Sequence, residues 1–197
     1  MNIKTELETK LGTKTGICLN NIEIDPLIIK AVMINEVVPS DPLQDFYGAP
    51  DADYLKTTIP LLQGAGAEVT SIQDVLQRGI YITNAVKTPK TASAIEKSSI
   101  ENSLPYLETE LSFFPNVKVI MLMGDVAKKA FNMITKKASK KNAVPAISTY
   151  KLRNSEIYYE GIRVMPSYIM TGGNILIEKS KVTMATEDIA AMLELIK

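Results

Sequence analysis

The stretch Val117-Lys118-Val119-Ile120-Met121-Leu122-Met123-Gly124-Asp125 decides how this chain folds. From Val117 to Met123 it is apolar almost without interruption, the pattern of a strand covered on both faces, as strands of parallel sheets are. Gly124 then turns the chain, and the spacing from Val126 to Lys137 predicts a helix. A buried strand feeding a helix is half of a βαβ unit, and the pattern recurs on either side. Upstream, Ile28 to Val38 is a compact run with β-branched residues and reads as a strand. Tyr54 to Ala65 follows as a helix with Leu55, Ile59 and Leu62 on one face, then a short helix from Ser71 to Gln77. Ile80 to Val86 is a second strand and Ser98 to Phe114 another helix. Downstream, Ala138 to Asn154 reads as a loop. Ile157 to Tyr159 and Gly161 to Met165 form a hairpin-like pair whose second arm is the fourth central strand, and Met184 to Lys197 closes the chain as a helix. Strands separated by helices imply right-handed crossovers and helices on both faces. The expected fold is α/β, a three-layer α/β/α domain spanning 1–197 around a central, mainly parallel, four-stranded sheet.

Composition narrows the chemistry. The chain has no histidine and a single cysteine, Cys18, so neither a disulfide nor a structural zinc site has its ligands. No metal and no cofactor is expected. No apolar run approaches the length of a membrane span, about 18 residues or more. The segment Met1 to Glu6 is too polar for a secretory signal, and the expected location is the cytoplasm. Lys and Arg total 22 against 22 Asp and Glu, so the chain as a whole is not a basic nucleic-acid binder. The charge is nevertheless uneven. From Lys118 to Arg153 there are nine basic residues against one acid, Asp125. Such a run either lies along phosphates or is an ordinary solvated surface.

Open α/β sheets collect ligands at the carboxyl ends of their strands, and each predicted strand ends in a polar residue. Glu36 follows the first strand's apolar core. A carboxylate there activates water or steadies a developing cation; equally, it is a surface glutamate at a strand end. Asn84 ends the second strand, where its amide presents donors and an acceptor to a ligand or else caps the turn before Pro89. In the loop beyond Glu36, either Phe46 or Tyr47 stacks on a planar ligand while the other fills the core, with Tyr54 as a third candidate. Gly124 permits close backbone approach at a helix start. Met165-Pro166-Ser167 leads into a loop in which Tyr168, Ile169 or Met170 is placed to wedge into a base stack.

In order and spacing these segments resemble the uracil-DNA glycosylase superfamily, from about Ile28 to Ile196. The resemblance implies that Glu36, grouped with Asn35, handles the attacking water, that Asn84 reads the base and that Phe46 or Tyr47 stacks on it. It also implies that Gly124, Lys128, Met165, Ser167 and Tyr168 meet DNA. The chain departs from the family in four places. Asn35 stands where glycine is usual, the proline comes three residues after Glu36, the cysteines of the iron-sulfur branches are missing, and Met165 replaces the histidine of the His-Pro-Ser motif. That histidine supplies a hydrogen bond to the departing base, which methionine cannot make. The leading expectation is therefore a monomeric DNA base-excision-repair glycosylase that flips a deaminated base, uracil or hypoxanthine, and hydrolyses its N-glycosidic bond with weak or altered activity. A catalytically silent damaged-DNA or nucleobase-binding protein on the same fold is the second reading. A small-molecule nucleoside hydrolase, indifferent to charge reversal at Lys136, Lys137, Lys140 and Lys141, is the third.

Overall fold

The computed structural model describes residues 1–197 apart from 93, 174 and 176. Five strands form one sheet: β1 (Ala31–Val38), β2 (Ile80–Pro89), β3 (Val119–Met123), β4 (Ile157–Tyr159) and β5 (Ile162–Ser167), in the order β2-β1-β3-β5-β4. β1 pairs in parallel with β2 and β3, and β3 with β5, whereas β4 lies antiparallel on β5 as an edge strand. The expected α/β/α layering and parallel character hold. The hairpin arm Ile157–Tyr159 joins as a fifth strand because the αL residue Glu160 and Gly161, both at positive φ, let the chain double back within two residues.

Side chains alternate across the strands and so feed two cores. Val32 and Ile34 of β1 and Tyr81 of β2 face α4 (Lys97–Leu111) and α5 (Asp125–Ser139) through Leu107, Ala130 and Phe131. Ala31 and Met33, with Ile80 and Ile82, face α2 (Asp53–Gly64), α3 (Ile72–Gln77) and α7 (Lys179–Leu195) through Leu62, Val75 and Ile189. Two helices were not evident from the sequence. α1 (Ile3–Leu11) starts where the Asn2 side chain accepts the Thr5 amide at 2.9 Å and docks through Ile3 and Leu7. α6 (Thr149–Leu152) is a single turn, capped by Ser148, inside the segment read as loop. Among the described residues no helix is long and apolar enough to cross a membrane.

Between β2 and α4 lies a buried ion pair. The Lys87 ammonium is 2.6 Å from Glu110, both side chains being almost wholly removed from solvent. Glu110 also accepts from Tyr81 at 2.5 Å and from Thr83 at 2.9 Å, so its charge is fully hydrogen-bonded. Breaking such a pair strands a charge, whereas replacing both members with apolar groups removes the problem. Lys87→Met is expected to lower unfolding free energy by about 3–5 kcal/mol, with Lys87→Met/Glu110→Leu recovering much of the loss. Urea denaturation followed by far-UV circular dichroism measures this. A single variant as stable as wild type would show that the pair contributes nothing.

Candidate functional site at the carboxyl edge of the sheet

β1, β2, β3 and β5 all end at one edge, and the register decides what meets there. Asn35 is the direct neighbour of Asn84, and Met123 of Ser167. Since Asn35 and Asn84 project to the same side, their amides touch. Asn35 Nδ2 donates to Asn84 Oδ1 at 2.8 Å, and Asn84 Nδ2 donates to both carboxylate oxygens of Asp45, at 3.0 and 2.8 Å. The Phe46 amide donates to Asp45 Oδ1 at 2.9 Å, and the Thr171 hydroxyl closes the other end by donating to Asn35 Oδ1 at 3.0 Å. This chain of polar groups is buried, with Asn84 only 3% exposed. Burial pushes the Asp45 carboxyl above its ordinary range, against the opposing pull of the Asn84 and Phe46 donors.

Of the candidate rings, Phe46 is 1% exposed and packs against Tyr54, with ring centroids 5.2 Å apart. Tyr47 works for the sheet. Its hydroxyl donates to the Ile82 carbonyl at 2.8 Å and accepts from the Ile82 amide at 3.1 Å, sealing the open edge of β2. The Tyr54 hydroxyl donates to the Val37 carbonyl at 2.7 Å. Phe46 is thus the ring joined, through its own amide, to the Asn84–Asp45 pair.

Glu36 projects to the opposite face from Asn35, as alternation requires. Its Oε2 accepts the Val126 amide at 2.8 Å, so it caps α5, whose own N-cap residue is a glycine without a side-chain acceptor. Gly124 makes room for this contact. It sits at φ 113°, and a Cβ there would lie 2.7 Å from the Glu36 carboxyl carbon and from Ile169. Burial raises the Glu36 carboxyl from its ordinary range, Asp125 adds to that, and the Val126 amide and Lys90 oppose it.

Of the remaining sequence-predicted residues, Gly124, Lys128, Ser167 and Tyr168 line a cavity of about 670 Å³, together with Thr149 and Lys181 among others. Neither Glu36 nor Asn84 lines it. Lys128 is 3.1 Å from Asp125 and donates to the Thr149 hydroxyl at 3.1 Å. Ser167 is buried and donates to Asp188 at 2.6 Å, while Arg153 holds the same carboxylate at 3.0 Å. Tyr168 lies under the Lys181 ammonium, 5.9 Å from the ring centroid. Ile169 is exposed, whereas Met170 is buried with its carbonyl accepting from Thr57 and Thr58. Met165, 8% exposed, packs into the core with Met33, Met121 and Met123. Among the described residues no three or more acidic, cysteine or histidine side chains are grouped to hold a metal.

The basic run does not form one face. α5 has 15 residues, so about 22 Å separates its ends, and it runs back from the carboxyl edge. Lys128 stays near the site, while Lys136, Lys137, Lys140 and Lys141 lie at the far end. Arg153 is taken up by Asp188 and Glu187.

Asp45, Thr171 and Asp188 carried no sequence signal as site residues, because their roles arise from partners 21 to 136 positions away. Asp45 has a measurable signature. A carboxyl that keeps its proton to higher pH when folded makes the native state bind more protons in the window just above 3.8, so stability falls as pH rises through it. Glu36 and Asp188 are shifted the same way. Asp45→Asn is therefore expected to shrink, without abolishing, the loss of melting temperature with rising pH in the weakly acidic range. An unchanged slope by calorimetry would show that Asp45 does not carry this shift.

Comparison with curated proteins found no match. The family model of the uracil DNA glycosylase superfamily matches residues 44–174, about two-thirds of the chain. The matched span takes in Phe46, Tyr47, Asn84, Gly124, Lys128, Met165, Ser167 and Tyr168; Asn35 and Glu36 lie just upstream. With this match over most of an α/β/α fold, the chain belongs to the uracil DNA glycosylase superfamily.

Proposed function

We propose that this protein binds DNA, extrudes a deaminated base, uracil or hypoxanthine, and hydrolyses its N-glycosidic bond slowly. The observation that carries the reading is the register contact of Asn35 and Asn84 at the carboxyl edge of a parallel sheet, in a chain of this superfamily. An amide there matches an imide edge, donating to a carbonyl oxygen and accepting from a ring N–H. For that, Asp45 must yield the Asn84 amide hydrogens to the base, and Phe46, tied to Asp45 and buried against Tyr54, must be uncovered to stack on it.

In the reaction a water oxygen bonds to C1′ as the C1′–N bond breaks. The electron pair leaves with the base, the water proton passes to solvent or to Glu36, and the base anion is reprotonated. Glu36 lies on the opposite face of β1 from Asn84, so for its charge at the start of α5 to steady the oxocarbenium-like sugar, the sugar must lie across the sheet's carboxyl edge while the base meets Asn84. Lys128, Lys181 and the hydroxyls of Ser148 and Thr149 around the large cavity suit backbone phosphates. No group equivalent to the family's histidine stands at 165, and one such donor is worth roughly a hundred- to a thousand-fold in rate.

Two observations favour a second reading, a silent binder of damaged DNA: Met165 is part of the apolar core, and the Asn84 amide is satisfied internally. Single-turnover release from uracil- and hypoxanthine-containing oligonucleotides separates the two. The glycosylase reading expects slow release, lowered at least about tenfold by Glu36→Gln, within the worth of one electrostatic group. Release no faster than background, with Glu36→Gln indistinguishable from wild type, rejects catalysis. Selective binding of uracil-bearing DNA that Asn84→Ala weakens then supports the silent reading.

A further inference from the structure

β1 and β3 flank the point where the strand order reverses, since the chain lays β2 on one side of β1 and β3 on the other. Open α/β sheets take their ligands at such a point, beyond the carboxyl ends of the strands. Here β1 pairs with β3 as far as Ile34 but with β2 as far as Val38, so the last residues of β1 overhang β3. Tyr54, in the first turn of α2, reaches this overhang and donates its hydroxyl to the Val37 carbonyl at 2.7 Å. Val37 directly follows Glu36 and stands two residues beyond Asn35, so the phenol meets β1 beside both. Its ring is half-buried against Phe46. Burial raises the phenol above its ordinary value, the Asp45 charge adds to this, the Thr171 hydroxyl opposes it, and Glu36 adds again. The group therefore stays an O–H at neutral pH and feels the carboxylates of both faces.

On the glycosylase reading, on which this rests, we propose that Tyr54 is a catalytic residue: its hydroxyl leaves the Val37 carbonyl and donates to the departing base, the service that Met165 cannot give. In uracil the O2 carbonyl stands between the glycosidic N1 and N3–H. With Asn84 on N3–H and O4, and the sugar lying across the edge toward Glu36, O2 falls between those two residues, on the side of the phenol. As C1′–N1 breaks, its electron pair spreads over N1, O2 and O4. The phenol donates a hydrogen bond to O2 and keeps its own proton, and solvent reprotonates the base. A hydrogen bond to an anion is stronger than one to a neutral carbonyl, so the exchange becomes favourable as the charge develops. The other hydroxyls at this edge are less free to move. Ser167 would strand the Asp188 carboxylate, Thr171 holds Asn35, and Tyr47 is bonded to both main-chain groups of Ile82.

The test is single-turnover release of uracil and of 5-fluorouracil from otherwise identical oligonucleotides, by wild type and by Tyr54→Phe. The variant keeps the ring that packs on Phe46, and a thermal melt checks that it is folded. Fluorouracil leaves as the more stable anion and needs a donor less. Tyr54→Phe is expected to slow uracil release at least about tenfold, within the worth of one such donor, and fluorouracil release by a clearly smaller factor. Equal losses on the two bases would make Tyr54 a residue that merely shapes the site, and no loss on uracil would leave its hydroxyl on Val37. Either result overturns the proposal while the glycosylase reading stands. Release of neither base by wild type removes that reading, and the role of Tyr54 with it.

Discussion

The hydrogen-bonded chain from Thr171 through Asn35 and Asn84 to Asp45 joins β1, β2, the loop after β1 and the loop after β5. It exists because β1 and β2 run parallel with Asn35 and Asn84 in register, which brings two amides to the same face of neighbouring strands. Buried polar groups must find partners or cost free energy. The amides therefore recruit Asp45 from the loop after β1 and Thr171 from the loop after β5. Those two loops frame the carboxyl edge, so the network that satisfies the amides also shapes the site. The groups that would read a base under the proposed function are the ones that satisfy one another here, so binding a base to Asn84 would require Asp45 to move.

Alternation along β1 sends the adjacent Glu36 to the other face, and there it finishes a helix. A glycine at position 124 leaves α5 without a cap of its own and clears the space through which the carboxylate arrives. This gives Glu36 a structural duty that any catalytic one must share. A fixed charge held at a helix start and lifted above its usual pKa by burial costs little reorganisation when positive charge develops nearby. Met165, where the resemblance places a donor to the departing base, is packed with other methionines in the core, so the proposed reaction would have no such donor from this position.

Much of the architecture was legible because continuous apolar runs such as Val119–Met123 have few ways to be buried. Ser167 does end β5, whereas Glu36 and Asn84, read from the sequence as strand-end residues, lie inside β1 and β2, which run on to Val38 and Pro89 through further pairing. What escaped was whatever depends on distant contacts. α1 carries just two buried apolar residues, Ile3 and Leu7, too few to mark a face before its docking partners are known. Asp45 looked like one acid among several in a polar loop until Asn84 was seen to lie against it. Tyr47 was a candidate for stacking because an aromatic in a loop has no visible partner in sequence, and its partner is the main chain of an edge strand. The lysines were grouped by their closeness in sequence, but a helix carries its ends about 22 Å apart and delivers most of them to the wrong edge for the site.

The central claim is that a base enters at the carboxyl edge and takes the place of Asp45 on the Asn84 amide. A crystal structure of the protein with a duplex holding 2′-fluoro-2′-deoxyuridine, which resists hydrolysis, tests it most directly. The account predicts the uracil edge hydrogen-bonded to Asn84, Asp45 displaced, and the phosphates near Lys128 and Lys181. A structure in which Asn84 keeps both Asp45 and Asn35 while the DNA lies elsewhere would contradict it.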